Sequence, residues 1–259
     1  MKDGNVLSAI SRAADIEESR ILIFDTIDST NSEARRLAQN GAGAPFLIIA
    51  RGQSAGRGRM GRSFYSPEGT GLYMTALFES APDLSQSVLL TTAAAVAVAR
   101  SIDSLCGVRT EIKWVNDILL GGKKICGILC ESFAAGDRRY VAVGVGINLY
   151  TKDFPGELKN TAASLFPKGE VGYGLAACIF SELTSFLKSG DTENMIAYYK
   201  ERSAVLGKRI VFTENGERYR GAAEDIDGAG RLAVRMPSGE IRMLSSGEIS
   251  LRLDENTEV

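Results

Sequence analysis

The chain has no histidine anywhere in its 259 residues. That absence excludes imidazole acid–base catalysis, Ser-His-Asp and Cys-His nucleophile arrangements, and histidine metal sites. Any chemistry has to run on nucleophiles that substrates bring, with Arg, Lys and Asp in support. Cysteine is sparse: Cys106, Cys126, Cys130 and Cys178 lie in apolar surroundings without zinc-ligand spacing. They read as free buried thiols in a reducing compartment. A surplus of one charge is missing too, since 30 Lys+Arg against 32 Asp+Glu leave a net −2. Positive charge therefore acts locally, on a small anion rather than along a nucleic-acid backbone. Apolar runs are short, none approaching the roughly 18 residues that span a bilayer. The N-terminal segment carries Asp3, Asp15, Glu17 and Glu18 in place of an apolar signal core. The expectation is a cytoplasmic protein with no membrane partner.

With 44% hydrophobic and 24% charged residues, the chain has the composition of a globular protein with room for one large and one small domain. Residues 1–19 form a helical lead-in, followed by a buried strand over Arg20–Phe24. Thr30 and Glu33 fit a capping box opening a helix that ends near Gln39, before Asn40-Gly41. Strands are predicted at Phe46–Ala50 and Gly71–Glu79, and a long alanine-rich helix over Leu84–Leu105. Arg109–Trp114 and Asp117–Leu120 flank a polar elbow. The Gly121-Gly122 turn leads into Lys124–Glu131, and Gly136-Asp137 into Tyr140–Leu149. Helices follow over Gly172–Lys188 and Glu193–Ser203. After Gly207 the texture changes to five short strands separated by turn residues, which reads as a small β-barrel. The expected domains are 1–205 and 206–259.

What the chain does have is concentrated in residues 51–62, where Arg51, Arg57, Arg59 and Arg62 alternate with glycines. No acidic residue occurs between Glu33 and Glu68. Glycine lets backbone approach a ligand, and arginine presents a fixed fork of donors to phosphate or carboxylate. Such a loop is suited to holding an anion, and its glycine content means that ordering it costs entropy. Gly56, Gly58 and Gly61 formally match a dinucleotide fingerprint. That motif needs a helix starting within it, and Pro67, Gly69 and Gly71 instead break the chain.

A second constellation is Lys113-Trp114-Val115-Asn116-Asp117 followed by Lys124 and Gly127. Taken alone, it describes equally a tryptophan anchor beside a turn, or an aromatic wall with a lysine aimed at a carboxylate. A third, Val143-Gly-Val-Gly-Ile-Asn148, suits a strand packed against a ligand or a crowded core strand.

In this order and spacing the three resemble the biotin protein ligases. The matching pieces are Ser29-Thr30-Asn31, Gln53, Gly56-Arg57-Gly58-Arg59-Met60-Gly61-Arg62, Lys113-Trp114-Val115-Asn116-Asp117, Lys124 with Gly127, Gly144-Val-Gly-Ile-Asn148, and Gly247 to Arg252. They extend from about residue 20 to residue 253. Two positions depart from the family pattern: Val115 stands where proline is common, and Phe64 where tryptophan is frequent. Both keep an extended backbone or an apolar lid.

The resemblance implies an α+β fold, a central mixed and largely antiparallel sheet flanked by helices as in class II synthetases, with a C-terminal SH3-like β-barrel. It implies that ATP activates biotin to biotinyl-5'-AMP with release of pyrophosphate. A lysine of a biotin carboxyl carrier protein domain then takes the biotin. Neither step needs an enzyme nucleophile, which suits a chain without histidine. By the resemblance, Ser29, Thr30, Asn31 and Gln53 bond the ureido ring. Arg57, Gly58, Arg59 and Arg62 fold over the adenylate, and Lys124, beside Gly127, holds the carboxylate or phosphate. Lys113, Trp114, Asn116 and Asp117 line the nucleotide side, with Asp117 near Mg2+ or orienting the acceptor amine. Asn148 supports the ATP pocket, and Glu248 and Arg252 reach back from the barrel.

A lipoate–protein ligase is the alternative within the class, but its signature includes a histidine. A DNA-binding regulator is expected against, because about twenty residues before the first strand are too few for a three-helix reader. Exposed edge strands leave monomer and homodimer both open.

Overall fold

The structure is a computed structural model that describes residues 3–79, 88–214, 216–245 and 252–253. Its larger sheet has seven strands in the order β1-β2-β3-β7-β6-β5-β4. β1 (Ile21–Ile27) runs parallel to β2 (Phe46–Gln53). Every other pair in this sheet is antiparallel: β3 (Gly71–Glu79), β7 (Arg138–Asn148), β6 (Lys123–Ala135), β5 (Asp117–Leu120) and β4 (Glu111–Lys113). Phe46 to Ala50 is apolar without alternation because both faces of β2 are covered. Ile48 packs with Ala34 and Ala38 of α2 (Thr30–Gln39) on one face. Leu47 and Ile49 belong to the main core on the other, with α1 (Asp3–Ala14), α3 (Val88–Cys106) and α5 (Gly172–Ser189).

By length and composition alone, α3 is apolar enough to cross a membrane, which corrects the expectation that no segment reaches that length. Most of it (72%) is buried within the protein. A helix packed on nearly every side needs apolar residues all round, so its composition follows from its place in the core. Two further helices belong to this part, the short α4 (Leu158–Thr161), which no sequence pattern announces, and α6 (Thr192–Glu201).

The smaller sheet is antiparallel throughout, in the order β11-β10-β9-β8-β12. Its strands are β8 (Arg209–Glu214), β9 (Glu217–Ile226), β10 (Leu232–Arg235), β11 (Ile241–Leu244) and β12 (Arg252–Leu253). A four-strand meander, β8 to β11, followed by a fifth strand that returns to pair with β8, is the arrangement of an SH3-like small barrel. Phe212, Leu232 and Val234 from this sheet share one continuous apolar core with Ile112 and Trp114.

Candidate active site

The Gly/Arg segment after β2 is a folded hairpin. Gly58 N–H donates to Arg62 O at 2.7 Å and Phe64 N–H to Gly56 O at 2.9 Å. Its tip passes through the left-handed region at Met60 (φ 56°) and Gly61 (φ 71°). At Gly56 a Cβ would stand 2.5 Å from Ser66 Oγ and 2.6 Å from Phe64 O, so only glycine lets the two arms close. Two side chains tie the hairpin down. Arg57 pairs with Glu131 on β6 at 2.9 Å, and Arg59 donates from Nη1 to Asn116 Oδ1 at 3.0 Å. These bonds oppose the ordering entropy that the glycines raise.

Beneath the hairpin is a narrow cavity lined by Ser29, Thr30, Asn31, Gln53 and the strand segments around Gly127 and Gly144. Ser29, Thr30 and Asn31 open α2 and are almost fully buried. Thr30 donates through N–H and hydroxyl to Gln53 Oε1, at 2.9 and 3.2 Å. Thr75 Oγ1 lies 2.8 Å from Thr30 Oγ1 and 2.6 Å from Asn31 Oδ1. Asn31 Nδ2 donates to Glu131 Oε2 at 2.9 Å. Gly144 makes room for the Asn31 amide, since a Cβ there would meet Oδ1 at 2.2 Å. Phe64 lies on the bare backbone of Gly146, where a Cβ would meet its ring at 2.5 Å.

This network overturns the capping box. The Ser29 carbonyl receives Glu33 N–H at 3.0 Å, the Thr30 hydroxyl turns into the cavity, and the Glu33 carboxylate pairs with Arg36. Gln53 and Thr75 outcompete the helix amides for the threonine.

Beside the cavity opens a cleft of about 810 Å³, lined by Arg62, Lys113, Trp114, Asp117, Asn148, Phe154, Leu158 and, from β8, Thr213. The two spaces meet at Gly58, Arg59, Phe64, Asn116 and Lys124, which line both. Lys124 Nζ is 2.6 Å from Asp117 Oδ1 across the β5–β6 hairpin. Burial pulls the Arg59 guanidinium below its usual range, against the opposing field of Asp117. Arginine stays charged under such a shift, so the seam between the spaces is lined by two cations. Burial pushes the Cys130 thiol up to about 11 and raises the other three. All four cysteines are free thiols, and at neutral pH they stay protonated and unreactive.

Every site residue named from the sequence lines one of the two spaces except Arg252, whose side chain lies outside the described residues, as does Glu248. Trp114 lines the cleft and is also anchored behind it. It is only 4% exposed, packs in the core, and donates its indole N–H to Gly230 O at 2.9 Å. Asn148 is also buried, its Nδ2 donating to Ala163 O at 3.1 Å. Among the described residues no cluster of three or more His, Cys, Asp or Glu could hold a metal. Asp117, already against Lys124, does not by itself make a resident Mg2+ site. Sequence reasoning missed Glu131 and Thr75. They carry no motif, and only the pairing of β3, β6 and β7 brings them to α2.

Residues 23–148 match the Biotin/lipoate A/B protein ligase family, and residues 205–252 match the Biotin protein ligase C terminal domain. Among curated proteins, the chain is 36% identical over 241 residues to the "Bifunctional ligase/repressor BirA" of Bacillus spizizenii, covering 89% of this chain and 74% of that one. It is 34% identical over 224 residues to the "Biotin--[acetyl-CoA-carboxylase] ligase" of Paracoccus denitrificans, covering 82% and 92%. The fold is that of the Aquifex aeolicus biotin protein ligase solved in complex with biotin and ATP (TM-score 0.78, 24% identity, 91% of this chain and 99% of that one). The class is thus a ligase built on a biotin/lipoate ligase-type catalytic sheet. The chain belongs to the biotin protein ligase family.

Proposed function

We propose that the protein joins the carboxylate of biotin to a lysine of a biotin carboxyl carrier protein domain, using ATP, and acts in the cytoplasm. In the first step a biotin carboxylate oxygen attacks the α-phosphorus of ATP. The bond to the bridging oxygen breaks, and pyrophosphate leaves with biotinyl-5'-AMP remaining. In the second, the neutral lysine amine attacks the acyl carbonyl, an amide forms, and AMP departs with the anhydride electron pair.

The observation that carries this reading is the cationic seam. Arg59 and Lys124 line both a narrow, hydrogen-bonding cavity and a nucleotide-sized cleft. The cavity suits a compact polar bicycle, and the cleft suits a nucleotide. Their shared border is where an acyl–phosphate anhydride would lie, and preorganised cations at developing charge are the main lever for such a reaction. Lys124 would leave Asp117 for the carboxylate or phosphate. The freed Asp117 carboxylate would then orient the acceptor amine, whose ordinary pKa of about 10.4 makes such help useful. Mg2+ would arrive with ATP, as part of the substrate.

Pyrophosphate exchange into ATP tests the reading. Exchange that depends on biotin and is not supported by lipoate is the expected result. Exchange with lipoate instead would assign the chain to the related acyl transfer.

A further inference from the structure

The cleft has walls from both sheets. Lys113, Trp114, Asn116 and Asp117 come from the larger, and Thr213 and Gly216 from the smaller. Its width therefore depends on how the two are joined. Beside the shared apolar core and the Lys200–Asp225 ion pair, one specific buried tie crosses the joint. The carbonyl of Gly230, in the β9–β10 turn, accepts the indole N–H of Trp114 in a buried bond of 2.9 Å. Gly230 sits at φ +79°, and a Cβ there would stand 2.9 Å from Val88 Cγ1 and 3.0 Å from Thr92 Cγ2 of α3. Asp227 shapes this turn: Oδ1 accepts from Ala229 N–H at 3.0 Å and Arg231 N–H at 2.9 Å, and Oδ2 accepts from Arg231 Nε at 2.7 Å.

The same elbow is held from α6 by Tyr199, whose hydroxyl donates to Val115 O at 3.2 Å. Ile112 N–H also donates to Arg202 O at 2.7 Å. One residue beyond Val115, Asn116 receives Arg59, and the next residue, Asp117, faces Lys124. The β9–β10 turn thus reaches the reactive seam through three residues of elbow and contributes no side chain to it.

We propose that Gly230 and Asp227 are positioning residues for the nucleotide. By fixing Trp114, the turn sets the geometry of the Lys113–Asp117 wall and hence affinity for ATP, while Ser29, Thr30, Asn31 and Gln53 of the smaller cavity are held by contacts that do not involve the turn. The proposal rests on the two-cavity reading above.

The test measures KM for ATP in biotin-dependent pyrophosphate exchange, biotin binding by calorimetry without nucleotide, and melting temperature. Trp114→Phe, Gly230→Ala and Asp227→Ala are compared with the parent protein. A buried acceptor left without its donor is expected to raise KM for ATP about tenfold in Trp114→Phe. Gly230→Ala and Asp227→Ala are expected to give the same direction with unchanged biotin binding. The Trp114→Phe/Gly230→Ala double variant should be no worse than the worse single, because both break one bond. Three results would overturn the proposal: lowered melting with unchanged KM for ATP, equal loss of biotin and ATP affinity, or additive effects in the double variant. Where Gly230→Ala fails to fold, Asp227→Ala carries the same decision. Absence of biotin-dependent exchange in the parent protein counts against the proposed function instead, and so separates the two failures.

Discussion

The narrow cavity and the larger cleft share five residues yet are held together by different physics. On the α2 side of the cavity the groups are neutral side chains in a mutual network: Thr30, Asn31, Gln53 and Thr75 bond to one another, and all but Gln53 are buried. Breaking such a network strands polar groups away from water. At the seam and hairpin the ties are ionic and partly exposed. Lys124 faces Asp117 with side-chain exposures of 36% and 23%, and Arg57 faces Glu131 with 46% and 19%. Pairs of that kind are weakly held and can exchange one anion for another. The difference teaches that this chain preorganises recognition of a neutral ring. It leaves Lys124 and Arg57 paired with its own carboxylates until a charged substrate arrives.

That contrast can be broken from the charged side first. Lys124→Ala removes a cation from the seam and is expected to lower biotin-dependent pyrophosphate exchange by roughly 100-fold or more. Exchange at the parent rate would move the reaction elsewhere. Next, Arg59→Gly removes the second cation and the tie to Asn116. Biotinyl-5'-AMP should then escape about tenfold faster, as charge-assisted bonds to its phosphate are lost. A chase experiment with trapped intermediate reads this, and unchanged retention contradicts it.

On the neutral side, Thr75→Val keeps the shape and deletes the hydroxyl that joins Thr30 to Asn31. It should destabilise the fold by about 1–3 kcal/mol and weaken biotin binding, measured by denaturant unfolding and calorimetry. A variant as stable as the parent would show the network to be dispensable.

The smallest effect belongs to the rim. The Arg36 guanidinium pulls Asp28 from its ordinary 3.8 down to about 2. A depressed carboxyl contributes stability above its unfolded pKa, and that contribution is lost as pH falls through the folded value. Asp28→Asn should therefore cost only a few tenths of a kcal/mol at neutral pH, both partners being about half exposed. The deficit should fade between about pH 4 and pH 2. A deficit that persists at pH 2 would mean that the ion pair is not its source.

Much of this was legible in the sequence, and the exceptions have physical causes. The helix over Thr30–Gln39 and the strand over Gly71–Glu79 come out with the boundaries their patterns imply. The site residues are brought together because motif spacing places them at strand ends and turns of one sheet. The capping box failed because tertiary partners claimed the Thr30 hydroxyl. Trp114 could be read as wall or anchor; it lines the cleft, and only the position of Gly230, 116 residues away, shows that it is an anchor as well. Glu131 stayed invisible because it acts on Asn31 across 100 residues, and on the distant Arg57, through strand register alone. The membrane-length apolarity of α3 was underrated because its polar interruptions, Thr91, Thr92 and Ser101, are themselves buried.

The central claim is that the arginine hairpin clamps an anhydride formed at the seam. Hydrogen exchange across residues 56–64, followed by mass spectrometry, tests it most directly. The account predicts little added protection from biotin alone and strong protection when biotin and ATP are supplied together. Equal exchange with and without the two substrates would contradict it.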